Sequence, residues 1–231
     1  MRGRSLSCRP VEIDPGEAEL PEVVRLRLQS AGALPLQAIG DLDLLKQKCL
    51  GFLCSVKCPG SVILKTYDLA VALRDAGIAV VGGFQSPVEK DVLDLLLRGS
   101  QPVIVCPARN IDRMRLAVGW EAAIAGGRLL ILSPMPRASS RTTATSARVR
   151  NGFVGRISDA LLVAYAFPGG MVEKTAHDAI AAGKRLWVPD VPQNRGLMVL
   201  GARVIAPEEV ATCLVVAGED ASPRVPSRRH L

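Results

Sequence analysis

Histidine and regularly spaced cysteines are scarce in this chain. Its 231 residues include only two histidines, and none of its six cysteines stands in the C-x-x-C spacing of a zinc or redox motif. Structural zinc sites and secreted disulfide frameworks both depend on such residues at regular spacing. We therefore expect no metal site, no cofactor and a reduced, cytoplasmic environment.

Long apolar runs and aromatic residues are also lacking. No run approaches the ~20 residues of a membrane-spanning helix, and no apolar segment follows the N-terminal Met-Arg-Gly-Arg as in a secretion signal. We expect no membrane partner. Aromatic residues make up only 3% of the chain, so extended stacking of nucleobases on aromatic side chains is expected to be weak.

The chain is rich in positive charge. Its formal net charge is +7 and its pI is near 9.4, which favours an anionic partner, with nucleic acid as the first candidate. Many proteins are basic without such a partner, so charge alone does not decide the question.

Apolar, β-like runs alternate with helical segments along most of the chain. Helices are expected over residues 61–76, 86–98, 113–125 and 171–182. The β-like runs that they separate are 50–56, 78–81, 102–106, 129–132, 160–166, 185–188 and 203–206. Strands that alternate with helices of 10 to 15 residues indicate βαβ units. The sequence therefore predicts an α/β protein with a Rossmann-like, doubly wound, mostly parallel sheet and helices on both faces.

The two ends of the chain differ from this pattern. Residues 1–20 show no periodicity and are expected to form a flexible leader, and residues 21–48 a short helical extension of two helices joined at 32–35. The Rossmann-like domain should occupy 49–217, followed by a disordered basic tail over 218–231.

The segment from Arg137 to the helix at 171–182 predicts a binding site. It begins with five arginines and no acid up to Ser158, continues with the apolar strand 160–166, and turns at Gly169 and Gly170. The arginines are Arg137, Arg141, Arg148, Arg150 and Arg156. Glycine turns at the carboxyl ends of buried strands let backbone N–H groups approach phosphates, and helix N-termini attract anions. We expect a phosphate or polynucleotide site at Gly169 and Gly170.

Two further loops follow strands at the same predicted edge. Gly82 and Gly83 precede a helix start in which Ser86 and Glu89 have capping-box spacing, with proline at the first helical position. This loop is either a ligand loop or an ordinary turn that needs glycine for its backbone angles. Arg109 follows the third strand and either faces an anion or is simply solvated.

The order and spacing of several motifs resemble those of the DNA-processing protein A (DprA, also called Smf) family. The resemblance covers roughly residues 25–206. The matching motifs are Ile39-Gly40-Asp41, the polar turn over 56–61, Gly82-Gly83, Arg150-Asn151, the run over 158–163, Gly169-Gly170, the run over 183–189 and Gly201-Ala202.

The resemblance implies a Rossmann-like domain of the SLOG superfamily, whose better-known members bind single-stranded DNA, dimerise and help load a recombinase. By position, Arg150 and Asn151 correspond to the family's arginine–asparagine pair beside the DNA-binding pocket. Gly169 and Gly170 correspond to its Ser-Gly-Ser turn. The family's next arginine is Gly152 here, and its serine and threonine are Gly170 and Glu173. The resemblance is thus to a divergent branch.

The function predicted from these patterns is that of a non-enzymatic DNA-processing accessory. Its site would bind single-stranded DNA or a nucleotide-type ligand through Gly82, Gly83, Ser86, Arg109, Arg148, Arg150, Asn151, Gly169, Gly170 and Glu173. A homodimer and a recombinase partner are expected, and no catalytic residue is predicted.

Two alternatives remain open. One is a nucleotide-binding sensor module. The other is a nucleotide phosphoribohydrolase like the LOG enzymes of the same superfamily, because Pro168-Gly169-Gly170 followed by Glu173 resembles part of their motif. The third glycine and the threonine of that motif are missing. His177 lies one turn after Glu173 and is expected to be a surface neighbour rather than an acid or base.

Overall fold

Nine strands form one sheet in the computed structural model, which describes residues 9–32 and 35–214. The spatial order is β1-β2-β6-β5-β4-β3-β7-β8-β9, and all pairs are parallel except β1–β2 and β2–β6. The strands are β1 Val11–Ile13, β2 Leu36–Ile39, β3 Cys49–Cys54, β4 Ala79–Gly82, β5 Val103–Val105, β6 Leu129–Ser133, β7 Ala160–Tyr165, β8 Arg185–Val188 and β9 Arg203–Val204.

Helices cover both faces of this sheet. They are α1 Glu22–Ser30, α2 Gly60–Asp75, α3 Pro87–Leu97, α4 Trp120–Ala125, α5 Ala144–Ile157, α6 Met171–Ala181 and α7 Arg195–Val199, with 3₁₀ turns at Leu42–Lys46, Pro192–Asn194 and Pro207–Thr212. The buried side chains of α1, α5, α6 and α7 belong to one apolar cluster, and those of α2, α3 and α4 to the other. The predicted Rossmann-like, doubly wound fold is confirmed.

The central strands are buried on both faces, as parallel strands between two helix layers must be. Every residue of β3 is buried, and so are all five of β6 and the first five of β7. Alternate residues of each strand enter opposite clusters: Leu53 and Leu161 contribute to one, Leu50 and Leu162 to the other. This is why these strands appear in the sequence as continuous apolar runs.

The chain reverses its direction of winding between β3 and β7. From β3 it proceeds through β4, β5 and β6 to one side of the sheet, then returns to place β7 on the other side of β3. In open α/β sheets, the crevice beyond the carboxyl ends of two such strands is where ligands bind. The topology therefore indicates a ligand-binding site at the turns after β3 and β7.

The structure differs from the sequence-based expectations at two short strands and at the start of one helix. Residues 11–13 and 36–39, expected in the leader and the helical extension, pair as antiparallel strands β1 and β2 at the edge of the sheet. The helix expected over 113–125 begins only at Trp120, after Gly119 with its left-handed φ of 84°. The expected tail at 218–231 lies outside the described residues.

The helical parts of the N-terminal extension pack against the sheet. Val24 and Leu28 of α1, and Leu44 and Leu45 of the following 3₁₀ turn, are buried in the same apolar cluster. Arg27 fixes α1 to the amino end of β7, since its guanidinium lies 3.0 Å from the Asp159 carboxylate. Burying leucines of this size stabilises the fold by about 1.5 to 3 kcal/mol each.

Candidate functional site

The turns after β3 and β7 meet at the switch point. The Ser55 N–H donates to the Tyr165 carbonyl at 2.9 Å, and the Phe167 N–H donates to Ser55 Oγ at 2.9 Å. These bonds bring the two turns side by side, and the exposed Val56, Lys57 and Phe167 lie in these turns, at the place where open α/β sheets have their ligand crevice. We call this the switch crevice.

Two helices begin at the switch crevice without side-chain caps. Neither α2 nor α6 has a cap hydrogen bond from its N-cap residue, Pro59 or Gly170. By contrast, α3 and α5 begin with complete capping boxes at Ser86 and Thr143. The first N–H groups of a helix need acceptors. Within the described residues, the N-cap residues of these two helices therefore leave the first N–H groups of the helices without a side-chain cap.

Both N–H groups of the Gly169–Gly170 turn already have hydrogen-bond acceptors within the protein, which the sequence did not predict. The Gly169 N–H donates to Glu173 Oε2 at 2.7 Å, and the Gly170 N–H donates to the Phe167 carbonyl at 2.9 Å. An anion at this turn would have to displace the Glu173 carboxylate. A Cβ on Gly170 would lie 2.8 Å from the Phe167 oxygen, so the turn itself requires glycine there.

The Gly82–Gly83 turn continues into a buried carboxylate network. Glu89 caps its helix start through bonds from the Gln85 and Ser86 N–H groups, at 2.8 and 3.0 Å, and also accepts the Cys54 N–H at 3.0 Å. Ser86 completes the predicted capping box. Between the glycines and this box, Phe84 is buried at a positive φ of 49°, a strained angle for a bulky residue.

Arg150 is the buried centre of this region. Only 4% of the residue is exposed; its Nη2 donates to Gln85 Oε1 at 2.9 Å and its Nη1 to the Cys106 carbonyl at 3.3 Å. Burial lowers the pKa of its guanidinium, an effect that the nearby Glu89 opposes. Its Nε has no hydrogen-bond partner within the described residues. Arg150 thus joins α5 to the ends of β4 and β5 instead of facing open solvent.

Gly83 is the reason that this arginine fits. A Cβ at residue 83 would lie 1.2 Å from Arg150 Nη1 and 1.9 Å from its Cζ. The guanidinium therefore rests directly on the glycine backbone. Asn151, next to Arg150, is 6% exposed.

The predicted basic segment is not one uniform surface. Arg137 pairs with Glu12 at 2.8 Å, and Arg156 donates its Nε to the Ala31 carbonyl at 2.7 Å. Among the five arginines, only the exposed Arg141 and Arg148 have guanidinium groups that form no hydrogen bond or ion pair in the part of the chain that the structure describes. Arg109 is also exposed, in the loop after β5.

Sequence reasoning missed Phe167. All eight aromatic residues lie in the described part of the chain, and Phe167, at 52% exposure, is the only one classed as exposed. Met171, 38% exposed, begins the helix that follows. The sequence could have indicated this exposure, because Phe167 lies between the end of a buried strand and a Pro-Gly-Gly turn. At such a position a side chain leaves the sheet and is no longer buried by the helix layers.

Metal ligands do not cluster in the described part of the chain. Across residues 9–32 and 35–214, no three His, Cys, Asp or Glu side chains come together as a metal site. Within those ranges, too, every helix is too short or too polar to cross a bilayer. The described cysteines are free, and burial raises the pKa of the Cys49 thiol to about 11 and that of the Cys106 thiol to about 12.

Comparison of sequences finds no relative. No protein-family model matches the chain, and no curated protein matches it.

Comparison of structures finds a class of doubly wound α/β proteins, and within it DNA processing protein A. The structure of that protein from Streptococcus pneumoniae matches with a TM-score of 0.68 and 16% identity, over 87% of this chain and 72% of the other. The Helicobacter pylori protein, described by its single-stranded DNA binding mode, matches with a TM-score of 0.70 and 19% identity, over 89% and 95%. The resemblance noted in the sequence is thereby confirmed at the level of the fold.

A more distant match is the molybdenum cofactor carrier protein of Chlamydomonas reinhardtii. It has a TM-score of 0.50 and 14% identity, over 73% of this chain and 96% of the other. The same overall fold therefore also occurs in a protein that carries a cofactor.

Proposed function

We propose that this chain is a divergent DprA-like protein that binds single-stranded DNA along the carboxyl edge of its sheet, across the switch crevice. The observation that carries the proposal is the exposed Phe167, whose turn is bonded to the turn that contains Lys57, at the position where open α/β sheets bind ligands. Single-strand binders combine basic grooves with aromatic side chains on which bases stack. The shared fold of the Helicobacter pylori protein supports the same partner.

The predicted site residues divide into two roles in this proposal. Gly82, Gly83, Ser86, Arg150 and Asn151 build and hold the turn beside the crevice, because most of them are buried or bonded within the fold. The solvent-exposed positions would meet the strand.

The strand-contacting group includes Arg109 and Arg148, whose guanidinium groups are exposed and unpaired within the described residues. Gly169 would offer its N–H group to a phosphate after Glu173 moves aside, and Gly170, whose N–H donates to the Phe167 carbonyl, would shape the turn. Homodimerisation and a recombinase partner remain predictions from the sequence resemblance.

Salt dependence of binding tests the proposal. If three to five phosphates are neutralised, the affinity of the protein for oligo(dT) should fall with salt with a log–log slope of roughly −2 to −3.5. A flat response, or no binding at low salt, would contradict it. A mononucleotide that binds where oligo(dT) does not would favour the small-ligand alternative.

Replacement of Phe167 tests the crevice itself. Phe167→Ala should weaken oligo(dT) binding roughly 5- to 150-fold, because stacking contributes about 1 to 3 kcal/mol per base. Leu26→Ala is the matched control: Leu26 is 54% exposed, on α1, whose Arg27 contacts the amino end of β7. Equal affinities for the two variants in fluorescence anisotropy would exclude Phe167 from the interface.

A further inference from the structure

A basic cavity lies at the carboxyl ends of β5 and β6, apart from the turns of the switch crevice. It has a volume of about 340 Å³. Its lining residues are Arg109, Asn110, Asp112, Arg113, Met114, Arg137 and Ser140. We call it the arginine pocket. Of these residues, only Arg109 was selected from the sequence as a site residue.

The walls of the arginine pocket are two loops held together by hydrogen bonds. Asn110 donates its N–H to the Ser139 carbonyl at 2.7 Å and its Nδ2 to the Arg137 carbonyl at 2.6 Å. The Ser133 hydroxyl donates to the Arg109 carbonyl at 2.7 Å. The loop after β5 is therefore fixed to the loop after β6, and the pocket is formed before any ligand binds.

The charges of the arginine pocket favour an anion. Three arginines and one aspartate line the pocket, and the carboxylate of that aspartate, Asp112, accepts a hydrogen bond from Gln37 Nε2 at 2.7 Å. Arg137 is paired with Glu12. The guanidinium groups of Arg109 and Arg113 form no hydrogen bond or ion pair within the described residues. Guanidinium groups bind phosphate oxygens through paired N–H donors, so two such groups are available to a phosphate.

The position of the pocket relates it to the switch crevice. Both open at the carboxyl edge of one sheet, and three strand spacings separate the β5–β6 gap from the β3–β7 gap. At about 4.8 Å per spacing, this is roughly 14 Å. Stacked nucleotides advance about 3.4 Å each, so the interval corresponds to roughly four nucleotides, and to fewer when the strand is stretched.

We propose that the arginine pocket is a second phosphate subsite, which holds the backbone of a single strand whose bases occupy the switch crevice. This inference rests on the proposed function and adds to it the length of strand that the protein contacts. It assigns Arg113, together with Arg109, to a phosphodiester that lies several nucleotides from Phe167.

The test compares short and long oligonucleotides. Arg113→Ala should weaken binding of dT12 about tenfold and reduce its salt slope by about 0.7, the value for one released counterion. Binding of dT2, which has a single internucleotide step and is too short to reach both places even when stretched, should be unchanged. Arg115→Ala removes one exposed arginine that does not line the pocket and should leave the binding of both oligonucleotides unaffected.

Each result decides a different question. Equal behaviour of the pocket and control variants on dT12 would overturn the second subsite while leaving the crevice intact. Equal losses on dT2 and dT12 would also overturn it, because Arg113 would then belong to the primary contact. If the unmodified protein binds neither oligonucleotide, the proposed function fails, and this inference fails with it.

Discussion

The contact between Gly83 and Arg150 gives a sharp prediction about how the site is built. In Gly83→Ala, the new methyl group would occupy the position of the guanidinium, 1.2 Å from Nη1. The arginine must then leave Gln85 and the Cys106 carbonyl. Hydrogen bonds to charged groups contribute about 1.5 to 3 kcal/mol each. Because the Nε is buried without a partner among the described residues and the bond to Cys106 is long, at 3.3 Å, we expect a total loss near the lower end, about 2 to 4 kcal/mol.

Arg150→Ala should cost a similar amount, since it removes the same two bonds. The two losses should not add. In the double variant the methyl group introduced at position 83 enters space that the guanidinium has vacated, so its cost should be close to that of one replacement. The expected coupling free energy equals the cost of one replacement, about 2 to 4 kcal/mol, well outside the error of such cycles.

Urea unfolding followed by the fluorescence of Trp120 and Trp187 measures all four free energies of unfolding. Gly77→Ala provides a control for replacing a loop glycine without steric conflict, since a Cβ there meets nothing within 4 Å, although its φ of 71° carries its own strain. Additive losses for Gly83→Ala and Arg150→Ala, within about 0.5 kcal/mol, would refute the role assigned to Arg150.

Two further predictions concern the Gly169 turn and the buried thiols. Glu173→Gln should raise the affinity for oligo(dT) several-fold, because it removes the carboxylate charge that accepts the Gly169 N–H. The control is Glu121→Gln, since Glu121 is exposed on α4. Weaker binding by the Glu173 variant would contradict the expectation. Burial raises the pKa of the Cys49 thiol from 9.0 to about 11. Above pH 9 the thiol therefore ionises in the unfolded protein while it stays protonated in the folded one. The free energy of unfolding should consequently fall by about 2 to 3 kcal/mol by the time the pH passes 11. Cys49→Ala should remove this part of the alkaline loss in urea titrations at pH 8.5 and 10.5, and an unchanged pH slope would refute it.

The fold was predictable where burial leaves a continuous signal. The parallel strands β5 and β7 lie between two helix layers, so their residues are apolar on both faces and stand out in the sequence. The capping box at Ser86 was equally visible, because its residues are local. Such features depend on neighbours within a few positions.

The missed elements depend on distant contacts. Strands β1 and β2 are three and four residues long, and β2 buries Gln37, whose side chain bonds to Ile111 and Asp112 more than 70 positions away. A buried glutamine in a short segment gives no strand pattern. The partners of Arg150, Gln85 and Cys106, are 65 and 44 positions away, so its burial could not be read from an arginine-rich run.

The central claim is that a single strand crosses the switch crevice at Phe167. Photocrosslinking of oligo(dT) that carries one photoreactive base, followed by mass spectrometry of the peptides, tests it most directly. We expect the crosslink on the peptide that contains Phe167 and Met171, lost in Phe167→Ala and reduced as salt is raised. Crosslinks confined to the amino edge of the sheet, near Arg27 and Asp159, would contradict the account.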